Sequence, residues 1–269
     1  MTQPTLRAQH IYAGYEDHTI LHDINLTIES QKINVILGSN GCGKSTLLKV
    51  FTRLLKPSKG EIILDGTSIF SLPTKQVAKT LGLLPQSPVV PEGIRVMDLV
   101  TRGRFPYRKP LNGLSMEDFK AVEEAMDIMG ISNLADCFVD ELSGGQRQRV
   151  WIALALAQQT DILFLDEPTT YLDIAYQIEI LDLLKDLNIR QKTTIVMVLH
   201  DINLSARYAD SIYAMKKGKL IAQGNPKDIL TASLMKEIYG LDCLVMEDPI
   251  SGSPMILPMG RYHQTRLDT

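Results

Sequence analysis

The chain has 269 residues, a formal net charge of −3, 45% apolar residues and 22% charged residues. That length can bury a sizeable core as one large domain or as a core with an insertion. The mildly acidic balance argues against nucleic acid or an anionic membrane surface as the main partner. Its three cysteines, Cys42, Cys137 and Cys243, are far apart, which argues against a disulfide framework and a paired zinc site and fits a reducing compartment. No secretory signal is expected in the first residues, and no apolar run approaches the roughly 20 residues that span a bilayer. Membrane work would require another chain as anchor.

In chain order, residues 33–37 (I-N-V-I-L) form a short, β-branched apolar run that ends in glycines, the pattern of a buried strand. A helical period follows over 44–55, with Leu47, Leu48, Phe51, Leu54 and Leu55 on the apolar face. Residues 89–110 are rich in proline, glycine and arginine. Helices are predicted over 116–129, with Phe119, Val122, Ala125, Met126 and Met129 inward, and over 143–159. A second buried strand, 162–165, stops at Asp166-Glu167-Pro168. A helix over 174–187 and a third buried strand over 193–199 come next. Alternating strands and helices imply an α/β core with a mostly parallel sheet, interrupted by a mainly helical insertion at about 89–159. Short strands are predicted at 211–215 and 220–223. Asn225-Pro226 has the chemistry of a helix start. Residues 248–259 read as a hairpin turning at Ser251-Gly252.

Gly38-Ser39-Asn40-Gly41-Cys42-Gly43-Lys44-Ser45 fits G-x-x-x-x-G-K-[ST], with Thr46 next, between a predicted strand and a predicted helix. Glycines there let backbone N–H groups point into a concave anion site, and the helix N-terminus adds favourable potential for phosphate. Lys44 has the reach for β- and γ-phosphates, and the Ser45 hydroxyl suits Mg²⁺. Asp166, at the end of a buried strand, is a second candidate Mg²⁺ ligand. Glu167 is placed to orient or deprotonate a water. Cys42, beside the helix N-terminus, is expected to have a thiol shifted toward thiolate. Ser143-Gly144-Gly145-Gln146 opens a helix as a second anion-binding surface. With only one complete phosphate loop per chain, such a surface suits ATP held by another copy; the plain alternative is a capped helix start. Arg102, Arg104, Arg108 and Lys109, with Phe105 and Tyr107, read as a solvated or partner-facing loop rather than a nucleic-acid patch.

These motifs stand in the order found in the ATPase subunits of ABC transporters, which the chain resembles over nearly its whole length. The phosphate loop, L-S-G-G-Q at 142–146 followed by Arg147-Gln148-Arg149, and I-L-F-L-D-E-P at 162–168 carry the resemblance. It implies a P-loop NTPase fold of ABC type: a mostly parallel sheet, an N-terminal antiparallel β portion and a helical insertion, with residues 1–240 as the nucleotide-binding domain and 241–269 as a short extension. It also implies roles for further residues. Tyr15 matches the adenine-stacking aromatic. Gln86 matches the glutamine that senses Mg²⁺ and the γ-phosphate. Asp173 matches the loop at the dimer interface, and His200 the histidine contacting the γ-phosphate. The cofactors implied are ATP and Mg²⁺. The implied partners are a second copy, head to tail, integral membrane permease subunits and, indirectly, a substrate-binding protein, at the cytoplasmic face of the membrane and without nucleic acid.

Within that family, the runs 82–88 (G-L-L-P-Q-S-P), 92–104, 167–175, 199–210 and 240–254 resemble ferric-siderophore importers, of which haem and cobalamin importers are near relatives. Ser39 departs from the proline frequent at its position, in the variable part of the loop.

Overall fold

Strands β1 (Leu6–Tyr15) and β2 (His18–Ile28) alternate buried and exposed side chains, the signature of strands with one wet face. They pair antiparallel, and with β4 (Lys59–Leu64) and β5 (Thr67–Ser68) they form a four-stranded sheet in the order β2-β1-β4-β5. Strand β3 (Ile33–Gly38) is buried at every residue and enters a different sheet. The computed structural model describes residues 4–86, 88, 92–108, 113–170, 172–260 and 262.

The second sheet has six strands in the order β10-β9-β3-β8-β7-β6, formed by β3, β6 (Leu81–Leu84), β7 (Ile162–Asp166), β8 (Thr194–Val198), β9 (Ser211–Lys216) and β10 (Lys219–Gly224). All neighbours pair parallel except β9 and β10. Side-chain alternation along these strands feeds two cores. Ile36, Ile162, Phe164, Val196 and Val198 face the four-stranded sheet and helix α1 (Lys44–Phe51), where Phe51 stacks on Phe164 at 5.8 Å between ring centroids. Val35, Leu37, Leu163, Leu165, Ile195 and Met197 face the opposite way, into the helices. A sheet buried on both faces explains why these strands read as unbroken apolar runs. Each fully buried Leu or Phe contributes about 1.5–3 kcal/mol.

Helix α2 (Thr74–Thr80) leads into β6; neither element was foreseen from the sequence, being short and without strong periodicity. Between β6 and β7 lie α3 (Val96–Thr101), a 3₁₀ segment (Arg102–Tyr107), α4 (Met116–Ile128) and α5 (Gly144–Ala157). Both α4 and α5 begin with reciprocal capping boxes, Ser115 with Asp118 and Ser143 with Gln146. Helix α6 (Ile174–Gln191) precedes β8, and α7 (Ile202–Tyr208) precedes β9. Helices α8 (Pro226–Ile229) and α9 (Ala232–Tyr239) lead to a hairpin of β11 (Cys243–Glu247) and β12 (Pro254–Pro258). The α/β class and the N-terminal antiparallel portion are as expected. Among the described residues no helix is long and apolar enough to cross a membrane.

Several boundaries and burials differ from the sequence reading. The first helix stops at Phe51, not residue 55: Arg53 has φ 65°, and the Leu54 and Leu55 amides both return to the Lys49 carbonyl, leaving Leu54 66% exposed. Helix α6 runs one turn past residue 187 until Lys192 closes it at φ 59°. Phe119 is exposed, because α4 packs through Ala121, Val122, Ala125 and Met126. The hairpin's first strand precedes Asp248 instead of starting there. Arg104 is buried rather than solvated: its Nε donates to Asp118 Oδ1 at 2.8 Å and its Nη1 to the Ala157 carbonyl at 2.8 Å. Lys109 lies outside the described residues.

Candidate active site

The loop between β3 and α1 folds as the glycine spacing predicts. Gly41 has φ 75° and Gly43, the residue capping α1, has φ 103°, both in the region where a side chain is strained. Gly38 is required for a different reason: a Cβ there would sit 2.4 Å from the Met215 carbonyl oxygen. Lys44 is buried and curls back into the loop, its Nζ donating to the Gly38 carbonyl at 2.8 Å and the Ser39 carbonyl at 3.2 Å. Two backbone oxygens thus hold the ammonium inside the loop.

Strand β7 delivers two carboxylates to the same place. Asp166 accepts from the Ser45 hydroxyl at 3.2 Å. Burial pushes its carboxyl up from the ordinary range, and the hydrogen bond from Ser45 only partly opposes this. Glu167 leaves the strand at φ 56°. Its Oε1 lies 2.6 Å from His200 Nε2, while its Oε2 accepts from Gln86 Nε2 at 2.6 Å and from the Thr170 hydroxyl at 3.0 Å. Gln86, Glu167 and His200 follow the C-terminal ends of β6, β7 and β8, which are neighbours in the sheet. A cavity of about 490 Å³ opens there, lined by Asn40, Gly41, Gly43 to Thr46, Gln86, Glu167 and His200. Ile20 and Thr170 complete its wall; the sequence reading missed both. Thr170 sits in the T-T-Y-L-D run, which was read for Asp173 alone; nothing local marks Ile20.

The remaining predicted residues sit elsewhere. Tyr15 ends β1, outside the cavity lining and 42% exposed, with Lys49 Nζ 3.2 Å from its hydroxyl and 5.5 Å from its ring centre. Ser143 and Gln146 cap their own helix: Ser143 Oγ accepts from the Gln146 amide at 3.3 Å and Gln146 Oε1 from the Ser143 amide at 3.0 Å. Ser143, Gly144 and Gln146 are exposed. A Cβ on Gly145 would meet the Tyr176 ring at 3.8 Å, which sets this segment against the first turn of α6. There Asp173 is exposed and makes no side-chain capping bond. The fold thus assembles two surfaces, one around Lys44 and Glu167 and one around Ser143 and Asp173. Gln148 ties them, its Nε2 donating to the Pro168 carbonyl at 2.7 Å. Cys42 corrects the expectation of a reactive thiol: it is 3% exposed, and burial raises its thiol above the usual value despite the nearby Lys44.

The profile of the ABC transporter family matches residues 21–170, a span that includes the phosphate loop and ends at Thr170. The chain belongs to the ABC transporter family. It is an ATP-binding subunit that couples ATP hydrolysis to transport. The chain is 49% identical to the probable siderophore transport system ATP-binding protein YusV of Bacillus subtilis (strain 168), over 97% of this chain and 95% of that protein. It is 46% identical to the ferric enterobactin transport ATP-binding protein FepC of Escherichia coli (strain K12), over 95% of this chain and 94% of that one. Among solved structures, an inward-facing putative metal-chelate type ABC transporter superposes with a TM-score of 0.83 at 27% identity, covering 96% of this chain and 99% of that chain. The dimeric structure of a bacterial ABC transporter cassette gives 0.72 at 30% identity, over 82% and 98%.

Proposed function

We propose that this protein is the ATPase that powers import of an iron–siderophore complex through a membrane permease. The observation that carries the substrate class is the run of relatives at 46–49% identity over 95% or more of the chain whose names specify siderophore, petrobactin, enterobactin or achromobactin transport. On this reading residues 1–240 are the nucleotide-binding domain and 241–269 an extension.

The triphosphate occupies the cavity over Gly38 to Thr46. Lys44 exchanges the Gly38 and Ser39 carbonyls for β- and γ-phosphate oxygens, where phosphoryl transfer gains most from fixed positive charge. The donors fit Mg²⁺: a buried carboxylate and a hydroxyl 3.2 Å apart are hard oxygen ligands, and a cation would offset the burial that raises Asp166. Such an ion would be shared with the substrate phosphates, since Mg²⁺ is usually held by one or two carboxylates together with them. Ser45, Asp166 and Gln86 would hold it. Bound there, it would neutralise charge on the phosphates. Glu167 orients and deprotonates the attacking water, with Gln86, Thr170 and His200 fixing its carboxylate. His200 also reaches the γ-phosphate. Tyr15 stacks on adenine. Ser143 to Gln146 and Asp173 serve the ATP of a second copy in a head-to-tail dimer at the cytoplasmic face of the membrane, where the α3–α5 region meets the permease.

The test is uptake of labelled ferric siderophores, haem and cobalamin in cells lacking the subunit or carrying Lys44→Ala. Loss of siderophore uptake, with growth on abundant free iron intact, is expected for both. Intact siderophore uptake with loss of only haem or cobalamin uptake would overturn the assignment.

A further inference from the structure

His200 projects from the residue just before Asp201, whose side chain caps α7 by accepting from the Leu204 amide at 2.8 Å. The imidazole is thus held between the end of β8 at Val198 and the first turn of α7. That helix has seven residues, far short of the roughly 12–15 at which a helix has appreciable stability of its own. Its inner face is fixed by burial of Leu204, Ser205, Ala206 and Tyr208. Its outer face carries Asn203 and Arg207, one turn apart, and both are engaged by the C-terminal hairpin.

The engagement is specific. Asn203 pairs with the backbone of Ile256 as a strand would, Oδ1 accepting from the Ile256 amide at 2.7 Å and Nδ2 donating to its carbonyl at 3.2 Å. Arg207 sends Nε and Nη2 to Asp248 Oδ2 at 3.0 and 2.8 Å. Asp248 is 5% exposed and also accepts from the Ile250 amide and the Ser251 hydroxyl, so it is locked before it meets the arginine. A two-stranded hairpin is itself marginal alone. Asn203 and Arg207 thus join the outer face of α7 directly to the hairpin. Both lie outside residues 21–170, the segment matched to the family.

We propose that the C-terminal hairpin is a positioning brace for His200, acting through Asn203 and Arg207 on the orientation of α7. The proposal rests on the reading that His200 serves hydrolysis. Its contact with Glu167 is 2.6 Å long, and catalytic groups displaced by even 1 Å can lose about a hundredfold in rate. Loss of the brace should therefore reduce turnover without removing any group that touches ATP.

The test compares kcat, KM for ATP and ATP affinity of the purified full-length protein with Asn203→Ala, Asp248→Asn, Arg207→Ala and Arg207→Lys, alone and combined with His200→Ala, below each variant's melting temperature. Asn203→Ala and Asp248→Asn should each lower kcat about tenfold or more, with ATP affinity within about twofold. Arg207→Lys should retain more turnover than Arg207→Ala. In the His200→Ala background the same changes should cause no further loss. If His200→Ala is impaired but the hairpin variants turn over normally, the brace is wrong and the His200 role stands. A loss that multiplies in full with His200→Ala, with weakened ATP binding, would make the hairpin general support for the fold and overturn the proposal. Normal turnover of His200→Ala would remove the role of His200 and the brace with it.

Discussion

Glu167 pays for its place with a backbone conformation that costs a non-glycine residue about 1–3 kcal/mol, here φ 56° at the edge of β7. That strain aims the carboxylate at Gln86, Thr170 and His200 rather than along the strand. Glu167→Gln should keep the shape and the ATP affinity while lowering hydrolysis about 10²–10⁴-fold, measured as phosphate release at saturating ATP; near-normal turnover would sink the base assignment. Tyr15→Ala should weaken nucleotide binding by roughly 1–3 kcal/mol, a stacking contribution, in a direct titration with ATP. Unchanged affinity would mean that Tyr15 serves only Lys49, whose ammonium donates to its hydroxyl. Cys42, buried and with its thiol pushed up, should be alkylated more slowly than the half-buried Cys137 in a mass-mapped time course.

At the scale of elements, the insertion contains a buried ion pair, Arg104 with Asp118. Burial alone would raise the Asp118 carboxyl, but the Ser115 amide and hydroxyl and the Arg104 guanidinium together bring it down to about 2. Since this folded value lies below the ordinary 3.8, its stabilisation is present above about pH 4 and is lost as pH falls toward 2. Asp118→Asn should flatten that part of the melting temperature against pH curve. It should also cost about 3–5 kcal/mol near neutrality, because Arg104 would remain buried without its counter-charge. An unchanged acid limb would show that other carboxylates govern it. The pair ties the 3₁₀ segment to the cap of α4 and, through the Ala157 carbonyl, to the end of α5. The helix that carries Ser143 to Gln146 is thereby joined at its far end to α4 and the 3₁₀ segment.

For the whole molecule, Lys44 and Glu167 line the cavity, whereas Ser143 and Asp173 stand exposed beside α6; on the proposed reading these are two halves of a shared site. A two-fold pair would complete both sites at once. The Glu167→Gln protein should accumulate as an ATP-bound dimer in light scattering and return to monomer when nucleotide is removed, because bound ATP no longer turns over. A variant that stays monomeric with ATP saturating would contradict the shared-site arrangement.

The phosphate loop was legible because its chemistry is local: three closely spaced glycines and the lysine share one strand–loop–helix unit, and spacing alone implies its shape. The alternation that sends Leu163 and Phe164 to opposite cores was likewise implicit in an unbroken apolar run. Family resemblance pointed to Gln86 and His200, but composition and spacing could not join them to Glu167 across gaps of 81 and 33 residues. Adjacency of β6, β7 and β8 in the sheet does so, because parallel strands present their C-terminal ends at one edge. Tertiary packing also reversed two local readings: Arg104, in an arginine-rich run, is buried by its pairing with Asp118, and Cys42, beside a helix N-terminus, has its thiol raised because desolvation outweighs the helix and Lys44. In both cases the deciding quantity was exposure to water, which depends on elements distant in the chain.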